Sequence, residues 1–231
     1  MGELVVFTFN PAWGLPSTGP FALKLLKWLD LAGIHYRQVH EENSAKGPKG
    51  KNPWIELDGE RVGDTEVIIR MLAARSGFDI DAGLDAPTLA RNHAIRRMVE
   101  EHFHQVLEWE LFVHPEGAKY IRIAAEAIGA PRPISGLIAG QVRGHFSRQL
   151  HARGIARHAA DVIAARGKAD LDALTTLLGD AEFFGGERPS MADVSVYGLL
   201  APMAKWPMRT PVAEYLKGQP RLMGFVERML G

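Results

Sequence analysis

The chain has 231 residues, and its 27 Lys and Arg balance 27 Asp and Glu, for a formal net charge of zero at pH 7. Hydrophobic residues make up 46% and charged residues 23%, a globular composition that excludes a disordered tail, a collagenous chain and a binder held to nucleic acid by bulk charge. No cysteine is present, which excludes a disulfide scaffold, a thiolate metal site, a Cys nucleophile and a Cys-x-x-Cys redox centre.

The first nine residues, Met1 to Phe9, lack the basic head of a signal peptide. No stretch approaches the roughly 20 apolar residues that a membrane span needs. A cytoplasmic protein with no membrane segment and no nucleic-acid partner is therefore expected.

Leu4 to Phe9 is a short apolar run, rich in β-branched and aromatic residues, that predicts a buried strand. It ends at Asn10-Pro11 and leads into a loop with Gly14, Pro16, Ser17, Thr18, Gly19 and Pro20. Pro20 suits the first turn of a helix, where a missing N–H costs nothing. Phe21, Leu25, Trp28, Leu29 and Ala32 then recur at helical spacing, and Gly33 stands where a C-terminal cap is expected. Ile34 to Val39 predicts a second strand, and the polar segment from Glu41 to Gly50 a loop. Trp54 to Leu57 and Arg61 to Val62 predict two short strands joined by Asp58-Gly59, a strong type I′ hairpin signal. Val67, Ile68, Met71 and Leu72 mark another helix, beginning at Asp64-Thr65. The strand–helix–strand order requires a parallel pair, and the hairpin adds an antiparallel one, so a small mixed sheet flanked by helices is expected.

Residues 79–87, with Asp79, Asp81, Gly83, Asp85 and Pro87, predict a linker. From Thr88 onward helical periodicity dominates, with breaks expected at His114-Pro115, at 129–133 and at Gly179-Asp180. Ser190 with Asp193 three positions on is a capping-box signature. His102 and His104 are two apart on a helix and point to different faces, and Glu100 with His104 lacks a third ligand, so no metal site is expected. The basic stretch with Arg143, His145, Arg148, His151, Arg153, Arg157 and His158 predicts a solvated helix face, with contact to an anionic second substrate as the alternative. Phe103, Trp109, Phe112 and Tyr120 are mostly core candidates.

Three stretches in this order resemble the glutathione transferase superfamily. They are Ser17 to Lys24, then Gly50 to Leu57 with Gly63 to Ile69, then Phe184 to Val194. Within it the likeness is nearest to the failed axon connections and metaxin-like branch, through Met98 to His102, Gly154 to His158 and Lys168 to Leu174. The resemblance implies a thioredoxin-like, glutathione-binding domain over 1–78, the linker 79–87, and an all-helical glutathione transferase C-terminal domain over 88–231. It implies glutathione as co-substrate, a small hydrophobic electrophile as second substrate, and a homodimer.

The resemblance also implies the site. Asn52-Pro53 matches the cis-proline turn whose free backbone pairs with the cysteinyl part of glutathione, and Lys51 stands beside it. Asp64-Thr65 matches the helix start that takes the γ-glutamyl end: N–H groups and the Thr65 hydroxyl for its carboxylate, an acidic side chain for its ammonium. Thr18 falls where serine-type transferases place the hydroxyl that stabilises the glutathione thiolate, with Ser17 as the second candidate. Capping alone remains the alternative for each of these hydroxyls. Gly19 falls where cysteine-type members carry their nucleophile and where the failed axon branch often has Ser. A transferase and a non-catalytic protein that kept the fold are both compatible with this pattern.

Overall fold

A computed structural model describes residues 2–127 and 131–231. The elements of the first part are β1 (Val5–Thr8), α1 (Pro20–Leu31), β2 (Arg37–His40), β3 (Trp54–Leu57), β4 (Glu60–Gly63) and α2 (Thr65–Ser76). The rest is helical: α3 (Ala86–Arg97), α4 (His104–Glu108), α5 (Pro115–Ala127), α6 (Arg132–Ala152), α7 (Ala160–Leu178), α8 (Met191–Lys205), α9 (Pro211–Lys217) and α10 (Pro220–Leu230). The chain divides into two compact units. One comprises Met1–Arg96, Leu178–Lys205 and Phe225–Gly231; the other comprises Arg97–Leu177 and Trp206–Gly224.

The sheet of the first unit has the order β2-β1-β3-β4, with β1 parallel to β2 and antiparallel to β3, and β3 antiparallel to β4. Asp58 (φ 52°) and Gly59 (φ 81°) both lie in the left-handed region, as a type I′ turn requires. Pro20 opens α1 with Gly19 as its N-cap. At the far end, the Gly33 N–H donates to the Asp30 carbonyl and the Ile34 N–H to the Leu29 carbonyl. This pair of bonds is a Schellman motif around Gly33 at φ 64°. It engages Ile34, so the second strand begins at Arg37 rather than at Ile34 as the sequence suggests, and the Arg37 N–H is the first to reach β1, at the Leu4 carbonyl.

Two further features hold the first unit together. Helix α8 packs along α1, and Gly198 permits the close approach: a Cβ there would sit 2.5 Å from the Pro20 carbonyl oxygen and 3.0 Å from the Lys24 nitrogen. At the start of α8 the buried Asp193 carboxylate accepts from the N–H groups of Phe184 (2.8 Å), Gly185 (3.1 Å) and Ser190 (2.8 Å) and from the Ser190 hydroxyl (2.7 Å). The capping box is thus half formed. Asp193 caps Ser190, but the Ser190 hydroxyl donates to Asp193 and accepts from Asn92 Nδ2 instead of capping in return. Burial pushes the Asp193 carboxyl up, against the pull of its donors on Ser190, Phe184 and Gly185. Segment 79–87 also bonds within this unit: Asp81 accepts from the Met191 N–H at 2.8 Å, and Arg188 donates to the Ala82 carbonyl.

In the second unit, two π-helical turns, Met98–Phe103 and Trp109–Val113, flank α4. His114 (ψ 139°) ends the run before Pro115, as expected, and Gly179 at φ 55° follows α7. Part of the break expected at 129–133 lies outside the described residues; Pro131 precedes α6 as its N-cap. Glu110 is buried and caps α9 from a distance in sequence. It accepts from the Val212 N–H (2.8 Å), the Ala213 N–H (3.2 Å) and the Thr210 hydroxyl. Phe103 and Trp109 are core, whereas Phe112, which stacks on Phe146 with ring centroids 3.7 Å apart, and Tyr120 are half-buried. His102 Nδ1 lies 2.6 Å from Asp170 Oδ2, and His104 Nε2 lies 3.9 Å from Glu108. Among the described residues no helix is long and apolar enough to cross a membrane, and no three metal-ligating side chains cluster.

Asp193→Ala leaves four donors without their acceptor at a buried helix start. It should cost more than about 3 kcal/mol in a urea unfolding titration, against about 1 kcal/mol for an ordinary cap. A loss below about 1 kcal/mol would show that these donors find other partners.

Candidate functional site

The sheet register decides what meets what. Trp54 is paired with Phe7 on one side and with Gly63 on the other. The end of β1, the start of β3 and the end of β4 therefore lie at one border of the sheet, and Thr8 beside His40 brings the end of β2 to the same border. Three segments leave or enter there: residues 9–19 leading to α1, Asn52-Pro53 leading into β3, and Asp64-Thr65 opening α2. The Phe7 and Trp54 rings stack with centroids 3.6 Å apart, and the Arg61 guanidinium lies 5.0 Å from the Trp54 ring, so the border is stiffened by packing as well as by the ladder.

The first segment is pinned at both ends. Ala12 and Leu15 bridge across Trp13 (φ 56°) and Gly14 (φ 75°), a tight turn that is unusual for a tryptophan. The Thr18 N–H donates to the Asn10 carbonyl at 3.1 Å, the Asn10 N–H to Glu42 at 2.7 Å, and Gln38 Nε2 to the Pro16 carbonyl at 2.9 Å. Ser17 and Thr18 differ sharply. Ser17 is fully buried and its Oγ accepts from the Gly19 N–H at 3.2 Å, which satisfies the start of α1. Thr18 is half-buried and reaches the surface. A side chain at Gly19 would place its Cβ 3.0 Å from the Phe9 ring, so this position is crowded as well as empty of chemistry.

The Asn52-Pro53 peptide is cis. The β1–β3 and β3–β4 ladders both stop at Trp54, so Asn52 lies beyond the last paired residue of β3. Asn52 Nδ2 donates to the Glu41 carbonyl at 2.6 Å, while its Oδ1 is buried with no partner. Pro53 is buried and Lys51 is exposed.

At α2, Asp64 is the N-cap with φ 83° and ψ 114°, a conformation that few residues other than glycine adopt. Its Oδ1 accepts from the N–H groups of Glu66 (3.0 Å) and Val67 (3.4 Å), and Lys49 Nζ stands 3.4 Å from Oδ2. Partial burial raises the Asp64 carboxyl, but the two N–H groups and Lys49 outweigh it and hold the group below its usual range. Thr65 follows, buried at 7% exposure. A strained, charged cap, Asp64, and the Thr65 hydroxyl thus meet at a helix start whose positive dipole end favours an anion.

The sequence reading does not find the residues that tie these segments together. Glu41, Glu42 and Lys49 sit in a polar stretch with no periodicity to single them out. Lys24, fully buried on α1, carries a legible signal: it is four residues before Trp28, on the apolar face of the helix.

Family models of the glutathione S-transferase N-terminal and C-terminal domains match residues 20–117 and 167–229. The isoprene-epoxide–glutathione S-transferase of Rhodococcus sp. (strain AD45) is 29% identical over 98% of this chain and 97% of its own length. Failed axon connections of Drosophila melanogaster is also 29% identical, over 98% of this chain and 57% of its own length. Metaxin-3 of Xenopus laevis is 24% identical over 94% of this chain and 72% of its own. Among solved structures, a β-etherase from Sphingobium superposes with a TM-score of 0.66 at 19% identity, covering 98% of this chain and 94% of that one. A theta-class glutathione S-transferase from Xanthomonas axonopodis pv. citri, solved with glutathione bound, superposes with a TM-score of 0.60 at 16% identity, covering 99% and 92%. The fold is that of a thioredoxin-like domain with a helical C-terminal domain. The chain belongs to the glutathione transferase superfamily, with relatives in its failed axon connections and metaxin-like branch.

Proposed function

We propose that the protein is a glutathione transferase that joins glutathione to a small hydrophobic electrophile. The observation that carries this reading is the shared sheet border, where the register collects the Thr18 loop, the unpaired Asn52 backbone and the Asp64-Thr65 helix start. A tripeptide with an anionic γ-glutamyl end and a central cysteine matches that sequence of groups. Its γ-glutamyl carboxylate lies at the start of α2 against the Thr65 hydroxyl and N–H, and its ammonium faces Asp64. Its cysteinyl backbone pairs with Asn52 as an added strand does. Lys51, beside that turn, attracts the glycyl carboxylate.

Thr18 then donates its hydroxyl to the sulfur. A donor at the start of α1, reinforced by the helix dipole, favours the thiolate over a thiol whose free pKa is about 8.5. The thiolate attacks the electrophilic carbon, a C–S bond forms, and the displaced group leaves with the electron pair and takes up a proton. Ser17 supports Thr18 from behind, since its oxygen is engaged by the Gly19 N–H. The isoprene-epoxide relative supports the electrophile class. The protein acts in the cytoplasm as a homodimer in this reading, with domains 1–78 and 88–231 joined by 79–87.

A second reading, a non-catalytic relative that kept the fold, is favoured by Gly19, where neither a nucleophile nor a second hydroxyl is present.

Two measurements separate the readings. Glutathione at about 100 times its dissociation constant should raise folding stability by about 2.7 kcal/mol, read as a thermal shift. No shift at several millimolar supports the non-catalytic reading. Thr18→Ala should cut conjugation of a chromogenic electrophile by about 10²- to 10³-fold at little cost in glutathione affinity. Ser17→Ala should act through stability instead. Unchanged turnover in Thr18→Ala would remove that hydroxyl from the mechanism.

A further inference from the structure

Asn52 leads into β3 at the sheet border and is engaged through its side chain. Its Nδ2 donates to the Glu41 carbonyl at 2.6 Å, and its Oδ1 is buried without a hydrogen-bond partner among the described residues. Exchanging the two amide atoms would set Oδ1 against the Glu41 carbonyl oxygen, so the bond to Glu41 fixes which end is left unpaired. A buried acceptor without a donor disfavours folding, and an apolar side chain of similar size would avoid that cost. Stability alone does not explain an asparagine at this position.

The bond it makes leads back to Thr18. Glu41 is tied to the end of β1, where its N–H donates to the Thr8 carbonyl at 2.7 Å. Next to it, Glu42 accepts from the Asn10 N–H at 2.7 Å, and the Asn10 carbonyl accepts from the Thr18 N–H at 3.1 Å. Three bonds thus join Asn52 to Thr18 through Glu41, Glu42 and Asn10. In the proposed function both ends hold one cysteinyl unit, Asn52 by its backbone and Thr18 at the sulfur. A hydrogen bond weakens steeply as its geometry departs from the optimum, so the spacing between these two holds decides how strongly Thr18 favours the thiolate.

We propose that the Asn52 side chain positions Thr18 against the glutathione sulfur. Resting on the reading above, its amide sets the spacing between the Asn52 turn and Thr18 through Glu41, Glu42 and Asn10. It acts on the sulfur only through the Thr18 hydroxyl.

The ultraviolet absorbance of the bound glutathione thiolate, followed against pH, reads this directly. Asn52→Leu keeps the backbone that pairs with the ligand and removes the amide. It should raise the pH midpoint of thiolate formation by about one pH unit and lower kcat near neutral pH by about tenfold. The glutathione KM should stay within about threefold of the parent, and turnover should recover at high pH. Glu42→Ala breaks the same chain at an exposed residue, so it reports even if Asn52→Leu folds poorly. Loss of that negative charge would by itself favour the thiolate and lower the midpoint, whereas positioning predicts a rise. Glu42→Gln keeps an acceptor for the Asn10 N–H and should hold the midpoint at the parent's value or below it. The double variant Asn52→Leu/Thr18→Ala should lose no more than Thr18→Ala alone, since the amide acts through that hydroxyl.

If Thr18→Ala raises the midpoint while Asn52→Leu and Glu42→Ala leave it at the parent's value, the positioning role is overturned and the site stands. Losses that multiply in the double variant also overturn the role. If the parent does not bind glutathione, the site reading fails and this inference fails with it.

Discussion

One pairing organises the first unit: Trp54 is held between Phe7 and Gly63. Side-chain alternation along a strand has a period of two, so a slip of one residue would turn Trp54 away from its ring partner and Ile55, now fully buried, toward the other face. The Phe7–Trp54 stack makes that slip costly. Once the register is fixed, the positions of three connecting segments follow without further choice. A chain with the same helices but a shifted hairpin would not bring these segments to one border.

The segments are also tied by short-range bonds. Asn10, Glu42, Glu41 and Asn52 connect the α1 loop to the cis-proline turn through main-chain and side-chain bonds. Lys49 joins the same stretch to Asp64. Deeper in the unit, α8 meets α1 across Gly198 and is itself capped by Asp193, so the helix that Thr18 leads into rests on a fixed support. Two buried acids, Asp193 and Glu110, do the same kind of work in separate units: each takes several donors at a helix start, and burial raises each carboxyl despite them.

Much of this is legible in the sequence because it is local. Asp58-Gly59 specifies its turn, Pro20 and Gly33 bracket α1, and Asp64 announces α2. The beginning of β2 is not legible, because the Schellman motif competes for Ile34 and only the structure shows which set of bonds forms. The π-helical turns leave no periodic mark that a helix reading can detect. Ser17 and Thr18 look alike on paper, and only burial separates a capping serine from a half-exposed threonine. A charged residue such as Glu110 is ordinarily assigned to the surface, so its buried role depends on partners distant in sequence.

The central claim is that a tripeptide lies along the sheet border between Thr18 and Thr65. The direct test is a crystal structure of the full chain grown with glutathione. The account predicts the sulfur within hydrogen-bond reach of the Thr18 hydroxyl, the cysteinyl backbone paired with Asn52, and the γ-glutamyl carboxylate on Thr65. Glutathione bound elsewhere, or density at that border from the chain's own side chains in place of ligand, would contradict it.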